Sequence, residues 1–430
     1  MRMTLSELNV VSEYDVVIVG AGMVGASAAL GFSHIGLKVL LLDAFAFPAD
    51  MPEYSPSYDA RSTALSWGTR DILNRLDVWQ QIEKHASPII DIHVSEKGRL
   101  GTTRMNAHEY QQEALGYVVP NQWLGQCLLA RTDEADIDFC SPVKVTAIEN
   151  QHLEGKEEQS GHQLISLSSA QGDEVIKKQV RARLLVIADG TKSETAKLIG
   201  IDYSEEAYAQ HALIANVSTE LPNQGMAYER FTSKGPLALL PLSEHQSALV
   251  WTHDEASIAS YLEMDDAAFC RALEDAFGLR LGRIEMCGRR NNYPLKLVKA
   301  KEQFRPGVLL LGNAAHSLHP VAGQGFNLAI RGVAAFLEWV NDAQVKNIPF
   351  EDLRSLRAFC ASRVDDQFKT IGLSDQLVKL FGSRSPVLSI GRDLGLIGLD
   401  NMPVLKSLFA ARAMGLSDRK ANFGKPHDER

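Results

Sequence analysis

The sequence predicts an α/β fold in which a Rossmann-type domain with a parallel sheet is joined to an antiparallel-sheet domain and a helical C-terminal region. Three observations carry this. A β-branched run, Val16–Val19, enters a glycine-rich turn and then a segment rich in alanine and leucine. Apolar runs at 184–189 and 308–311 have the continuity of strands buried on both faces. Between them, over 211–253, the hydrophobic period changes to two, as one half-exposed sheet face requires.

Residues 14–43, YDVVIVGAGMVGASAALGFSHIGLKVLLLD, read as one βαβ unit. The first strand is followed by a helix over 23–35, ended by Gly36, and a second buried strand over 37–42. Residues 59–79 read as a loop leading to an amphipathic helix, 85–118 as a mixed segment with strands, and 121–131 as helix. Residues 142–187 read as short strands around the polar loop NQHLEGKEEQSG. In GPLALLPLSEHQSALVWT two strands flank a polar turn at 243–246, the pattern of a hairpin. Residues 350–417 read as mostly helical. The implied division is a discontinuous nucleotide-binding domain (13–84, 119–200 and 290–345), a second domain (85–118 and 201–289), a helical region (346–417) and a polar tail (418–430).

A chain of 430 residues has room for two or three domains with substantial cores. Its net charge of −9 argues against a nucleic-acid surface, which needs clustered Lys and Arg. The five cysteines, Cys127, Cys140, Cys270, Cys287 and Cys360, are odd in number and include no C-x-x-C pair. That pattern suits reduced thiols in a cytoplasmic protein rather than a disulfide framework or a zinc site. The N-terminus lacks an apolar core of the secretory kind. No stretch approaches the about 20 uninterrupted apolar residues of a membrane span. A soluble chain is expected, with peripheral membrane contact at the cytoplasmic face left open.

Gly20-x-Gly22-x-x-Gly25 follows a strand and opens a helix. The three glycines have distinct roles. Gly20 permits the tight turn, Gly22 lets a pyrophosphate approach the backbone, and Gly25 lets helix and strand pack closely. The helix N-terminus then offers free N–H groups to phosphate. Asp43, at the end of the second strand, is placed to accept hydrogen bonds from a ribose diol. Arg61 in DARSTALS lies in a loop before a helix, and could be a plain surface arginine. Asp189-Gly190 ends a buried strand, where ligand loops gather in open α/β sheets. In GNAAHSLHPVAGQGFN, Gly323 and Gly325 permit close backbone approach to a ligand. His316 and His319 are spaced like two ligands on one helical face, but Glu302 is the single further donor near them in sequence. No metal is expected; a structural role or contact with a bound organic group fits better.

This order of motifs resembles the class A flavoprotein aromatic hydroxylases of the para-hydroxybenzoate hydroxylase type. The matching pieces are VVIVGAGMVGASAAL, DARSTAL, VIADGTKS and GNAAHSLHPVAGQGFNLAIRG. Within that class the chain is similar to the ubiquinone-biosynthesis hydroxylases, on the last motif and on LSDQLVKLFGSRSPVLSIGRDLGL. The resemblance covers residues 14 to about 415. It implies a para-hydroxybenzoate-hydroxylase-like fold, non-covalent FAD, NAD(P)H as reductant and O2 as co-substrate. By motif position it implies that Gly20, Gly22 and Gly25 hold the pyrophosphate and Asp43 the adenosine ribose. Arg61, Gln126, Gly312 and Asn313 would lie along the ribityl–pyrophosphate segment. Asp189 belongs to a motif that supports both FAD and NAD(P)H. Pro320 to Asn327, with Gly323, Gln324 and Gly325, would border the isoalloxazine, with Pro320 and His319 at the reacting edge.

Two positions depart from the class. Asn313 stands where most members have Asp, a change common in the branch that acts on octaprenyl-methoxyphenol. Ala196 and Lys197 stand where a motif arginine is usual, and a lysine does not reproduce a bidentate guanidinium. The second departure bears on NAD(P)H handling. The chemistry implied is activation of O2 at flavin C4a and transfer of one hydroxyl to a polyprenylated phenol of the 2-octaprenyl-6-methoxyphenol type. Such a site must exclude water, and GPLALLPL and ALVWT are its expected apolar wall. The lipid tail implies a route to the membrane, for which Leu377, Val378, Leu380, Phe381, Val387 and Leu388 are candidates, and membership of a quinone-synthesis complex. The sequence names no catalytic base. Rival readings are a hydroxylase of another ubiquinone precursor, a halogenase or reductase on the same fold, and a flavin-binding component without turnover. The halogenase is disfavoured because the five tryptophans never form W-x-W.

Overall fold

A computed structural model describes residues 2–8, 11–47, 61–152, 161–171, 174–317, 324–382, 414–415 and 423. Two nine-stranded sheets and one three-stranded sheet organise them. The first large sheet runs Arg2–Met3, Ile137–Cys140, Val39–Leu42, Val11–Val19, Glu174–Ile187, Gly161–Gln171, Lys144–His152, and Val308–Leu310 also joins Glu174–Ile187. The pairs around Val11–Val19 are parallel, with Leu184 to Ile187 level with Val16 to Val19 and Leu185 level with Val308. Alternate side chains enter two cores. Val16, Ile18, Leu184 and Val186 meet Phe32 and Leu337 on one face; Val17, Val19, Leu185 and Ile187 meet Ile165 and Leu167 on the other. Burial on both faces is why the sequence is apolar without alternation. Each such side chain contributes about 1.5–3 kcal/mol.

The helices Met23–His34, Asn121–Glu134 and Gln324–Val345 supply the first of those cores. Gly31 lets the first and last of them touch: a Cβ there would sit 2.1 Å from Leu337 Cδ1. Residues 142–187 were expected as short strands and instead form long ones of 9, 11 and 14 residues. Their outer halves are open to solvent on one face, so charges such as Lys177 and Arg181 interrupt the pattern and disguise it.

The second large sheet runs His316–Ser317, Asn291–Ala300, Tyr203–Thr219, Gln246–Asp254, Gly235–Ser243, Met226–Thr232, Asp91–Glu96, Thr102–Asn106, with Ile284–Cys287 also on Tyr203–Thr219. The hairpin about residues 244–245 forms as expected. Asn291–Ala300 and His316–Ser317, assigned from sequence to the nucleotide-binding domain, pair into this sheet instead. The long Tyr203–Thr219 strand offers an edge that takes up Asn291–Ala300 along most of its length. Helices Glu255–Glu263 and Asp266–Phe277 cover one face through Ile258, Phe269, Leu273 and Phe277, packed on Leu213, Leu239, Leu249 and Trp251. The opposite face carries Ile92, Val94, Ala227 and Leu240 toward Ile89 and Val118 of the three-stranded sheet.

That small sheet joins Ser62–Ser66, Gly116–Pro120 and Ser87–Ile89. The sequence placed Arg61 in a loop leading to a helix; a strand intervenes, antiparallel to Gly116–Pro120. STALS has little strand character of its own, and pairing with the partner's buried Val118 and Val119 imposes it. Ser66 then caps helix Trp67–Arg75, its hydroxyl accepting from Thr69 N. Helix Leu353–Gly382 packs on Gln324–Val345 and reaches Gly235–Ser243. A half-buried ion pair, Arg331 with Asp366 at 3.1 Å, fastens the two helices. Among the described residues no helix is long and apolar enough to cross a membrane. The side chains of Leu377, Val378, Leu380 and Phe381, and residues 387–388, lie outside the described set.

Candidate active site

Four adjacent parallel strands, Val39–Leu42, Val11–Val19, Glu174–Ile187 and Val308–Leu310, end beside one another. At those ends sit Asp43, the Gly20–Gly25 turn, Asp189-Gly190 and Gly312-Asn313. The three glycines of the turn are there for different reasons. Gly20 has φ +103°, and a Cβ on it would lie 2.5 Å from Ala188 O. A Cβ on Gly25 would lie 1.8 Å from Gly20 O. Gly22 is the opposite case, since a Cβ there would meet nothing within 4 Å. The protein therefore demands the first and third glycine, and leaves open ground over the second. Helix Met23–His34 starts at that open ground with no side-chain cap and no acid in its first turn. Its leading N–H groups and positive end are available to an anion, so the cradle fits a pyrophosphate.

Asp43 holds the turn in place. Its Oδ2 accepts from Ala21 N at 2.7 Å and its Oδ1 from Phe45 N at 2.8 Å. Each carboxylate oxygen keeps a further lone pair, so a diol can still be accepted. Gly312, at φ +60°, packs against helix Met23–His34, where a Cβ would come 3.0 Å from Val24 Cγ1. Leu311 N donates to Ile187 O, which ties this third loop to the second. Asn313 is exposed beyond it. Asp189 Oδ2 accepts from Thr195 N at 3.3 Å, steadying the loop before helix Glu194–Leu198. Lys197 faces solvent in an ion pair with Glu194.

The remaining predicted residues are spread more widely. Gln126 is buried on Asn121–Glu134, which packs against Met23–His34. Arg61 reaches the second sheet, its guanidinium 5.4 Å above the Tyr293 ring. Asn327 uses its carboxamide on protein: Oδ1 accepts from Ser66 N at 2.9 Å and Nδ2 donates to Ala64 O at 2.8 Å. It thereby fastens the start of helix Gln324–Val345, where Gly325 also sits, to strand Ser62–Ser66. His319, Pro320, Gly323 and the Gln324 side chain lie outside the described residues. His316 is buried beside a small cavity shared with Gly332, Cys360 and Arg363, and among the described residues neither ring nitrogen has a partner. Burial, aided by the Lys299 charge, lowers its pKa to about 4, which leaves it neutral at pH 7.

Two further residues of the second sheet carry no motif in the sequence. Tyr293 stacks under Arg61 and ties the start of strand Ser62–Ser66, in the three-stranded sheet, to the second large sheet. Glu229 lies on the face of the second sheet opposite the covering helices, level with Val94 and Ala238. Burial raises its carboxyl to about 7. Its signal was readable: Ala227, Glu229 and Phe231 share one face of a strand, and an acid between two apolar residues on a sheet face needs a reason.

A family model described as an FAD binding domain matches residues 13–339. The chain is 32% identical to a protein of Rhodospirillum rubrum named ubiquinone hydroxylase UbiL, over 93% of this chain and 89% of that one. It is 30% identical to the 3-demethoxyubiquinol 3-hydroxylase of Escherichia coli, over 94% and 98%. Among solved structures, the p-nitrophenol 4-monooxygenase PnpA of Pseudomonas putida superposes with a TM-score of 0.73 over 95% of this chain and 99% of that one, at 18% identity, which speaks to the fold. A steric cradle for pyrophosphate and a family match across three quarters of the chain lead to one conclusion: this chain belongs to the FAD binding domain family, as a flavin-dependent class A monooxygenase related to the ubiquinone-biosynthesis hydroxylases.

Proposed function

We propose that the protein hydroxylates the aromatic ring of a polyprenylated phenol in ubiquinone biosynthesis, a substrate of the 2-octaprenyl-6-methoxyphenol type. The observation that carries this reading is the apolar face of the second sheet opposite its two covering helices. Ile214, Ala238, Leu240 and Val250 give it an apolar surface suited to a lipid-tailed ring. Full-length kinship to proteins named for ubiquinone hydroxylation supports the same substrate class. Bound FAD, reduced by NAD(P)H, supplies the activated oxygen.

In this reading Gly20, Gly22 and Gly25 admit the pyrophosphate, Asp43 takes the adenosine ribose, and Gly312 and Asn313 lie along the ribityl chain. Arg61, held on Tyr293, sits where the three-stranded sheet meets the second large sheet. Asn327 keeps strand Ser62–Ser66 seated against the helix that follows the flavin loop. The apolar face excludes water, which protects the activated oxygen from wasteful release. Val364 and Phe368, exposed one turn apart on Leu353–Gly382, support peripheral membrane contact by that helix. Purified protein supplied with NAD(P)H, O2 and a prenylated methoxyphenol should yield the hydroxylated ring. NAD(P)H consumption with no hydroxylated product from any such phenol would reject the substrate assignment.

A further inference from the structure

Glu229 stands in the middle of strand Met226–Thr232, on the sheet face opposite the covering helices, which it shares with Ala227. Its neighbours on that face are Ala227 and Phe231 along the strand, Val94 on one side and Ala238 on the other. Among the described residues of the sheet, Glu96 lies on that face beside Phe231 at the end of its strand, and Arg61 sits out at Tyr293. Among the described residues nothing hydrogen-bonds or ion-pairs with the Glu229 carboxylate. The side chain is half-buried among these apolar neighbours, and the surface it keeps leaves it within reach of a ligand.

A half-buried carboxylate without a partner costs stability, and a fold keeps one where function needs it. Packing offers no compensation here, because an apolar residue would suit Val94 and Ala238 better. A ligand hydroxyl would complete the site. We infer that Glu229 accepts the hydroxyl proton of the phenolic substrate on this face of the sheet, an inference that rests on the substrate reading above. The phenol O–H bond breaks and a carboxyl O–H bond forms. The electron pair left on oxygen enriches the ring carbons ortho and para to it, where hydroxylation occurs. When the ring regains aromaticity its oxygen recovers the proton from Glu229, and the hydroxylated carbon releases its own proton to water. Burial alone sets the carboxyl near 7, so the group can both take and return a proton at neutral pH.

The test uses the FAD-loaded enzyme with 2-geranyl-6-methoxyphenol, measuring NAD(P)H consumed and ring-hydroxylated product from pH 5.5 to 8.5. The wild type is expected to gain product per NAD(P)H as pH rises through about 7. Glu229→Gln is expected to keep its flavin absorbance yet lose roughly 10²-fold in hydroxylation rate, with the pH step gone. Glu229→Asp should restore part of the rate together with the pH step. Glu229→Leu should melt at a higher temperature than wild type while failing to hydroxylate, which a purely structural role would not produce. Equal coupling and an equal pH profile in Glu229→Gln and wild type would overturn the inference while leaving the substrate reading intact. A wild type that neither binds nor hydroxylates the phenol would overturn the substrate reading, and this inference with it.

Discussion

The two nine-stranded sheets of this molecule meet ligands in different ways. The parallel sheet is covered on both faces, and only the ends of its strands are free to face a cofactor. The antiparallel sheet is covered by helices on one face and only in part, by the three-stranded sheet, on the other, so the surface it has left is broadside. The consequence is visible in composition. Val16–Val19 and Leu184–Ile187 contain no polar side chain, and the chemistry sits in the loops that follow them. Met226–Thr232 and Tyr203–Thr219 carry Glu229 and Asn216 within the strands themselves. In a doubly covered sheet the functional residues follow the strand; in a singly covered one they occupy alternate positions inside it.

Substitutions can break this contrast. The largest effect is expected at Gly25→Ala, whose Cβ would occupy the place of Gly20 O. Colourless, destabilised protein is the expected product, and flavin absorbance at the wild-type level would show the steric account to be wrong. Gly22→Ala separates fold from ligand: with nothing near its Cβ, the melting temperature should hold while FAD affinity drops. Trp251→Ala removes a fully buried side chain from the helix-covered face of the second sheet. A loss of about 3–5 kcal/mol is expected in denaturant titration. The flavin signal should outlast the change in tryptophan fluorescence if the two sheets melt separately.

Asn327→Ala leaves Ser66 N and Ala64 O without their partner, a loss of about 1–3 kcal/mol that also loosens the flavin-side helix. The same titration, run with flavin fluorescence, checks both effects. Glu229 predicts a pH dependence of stability. Its folded pKa, about 7, lies above the ordinary 4.5, so its contribution is full below about 4.5 and is lost as pH rises through about 7. Glu229→Gln should therefore gain on wild type as pH climbs across that window and hold its advantage above it, measured by thermal melts. The smallest effect belongs to Lys197→Ala. Its pair with Glu194 is solvent-exposed, and a stability change within about 0.5 kcal/mol is expected.

The contrast also explains what could be read in the sequence. The Gly20–Gly25 turn was legible to the residue, because the demands on each glycine come from within a single βαβ unit. Asp43 was legible as a strand-end acid, although its two bonds to Ala21 N and Phe45 N were not. Asn327 was read as a cofactor residue, while its carboxamide serves a strand far earlier in the chain. That is a tertiary pairing, and no local pattern announces it. Ser62–Ser66 becomes a strand because a partner imposes it, and Asn291–Ala300 joins the second sheet because Tyr203–Thr219 offers it an edge. Glu229 stayed hidden because the motifs mark the glycine loops, where the parallel sheet keeps its chemistry, and not the interior of an antiparallel strand.

Strand Glu174–Ile187 pairs with Val11–Val19 and Gly161–Gln171, both made before it, and with Val308–Leu310, made long after. A ribosome releases the chain N-terminus first. The segment Leu185–Ile187 therefore waits as an open edge while the ribosome produces most of the antiparallel sheet. Until Val308–Leu310 closes that edge, the loop bearing Gly312 and Asn313 has no seat, so capture of the cofactor falls late in the birth of the molecule.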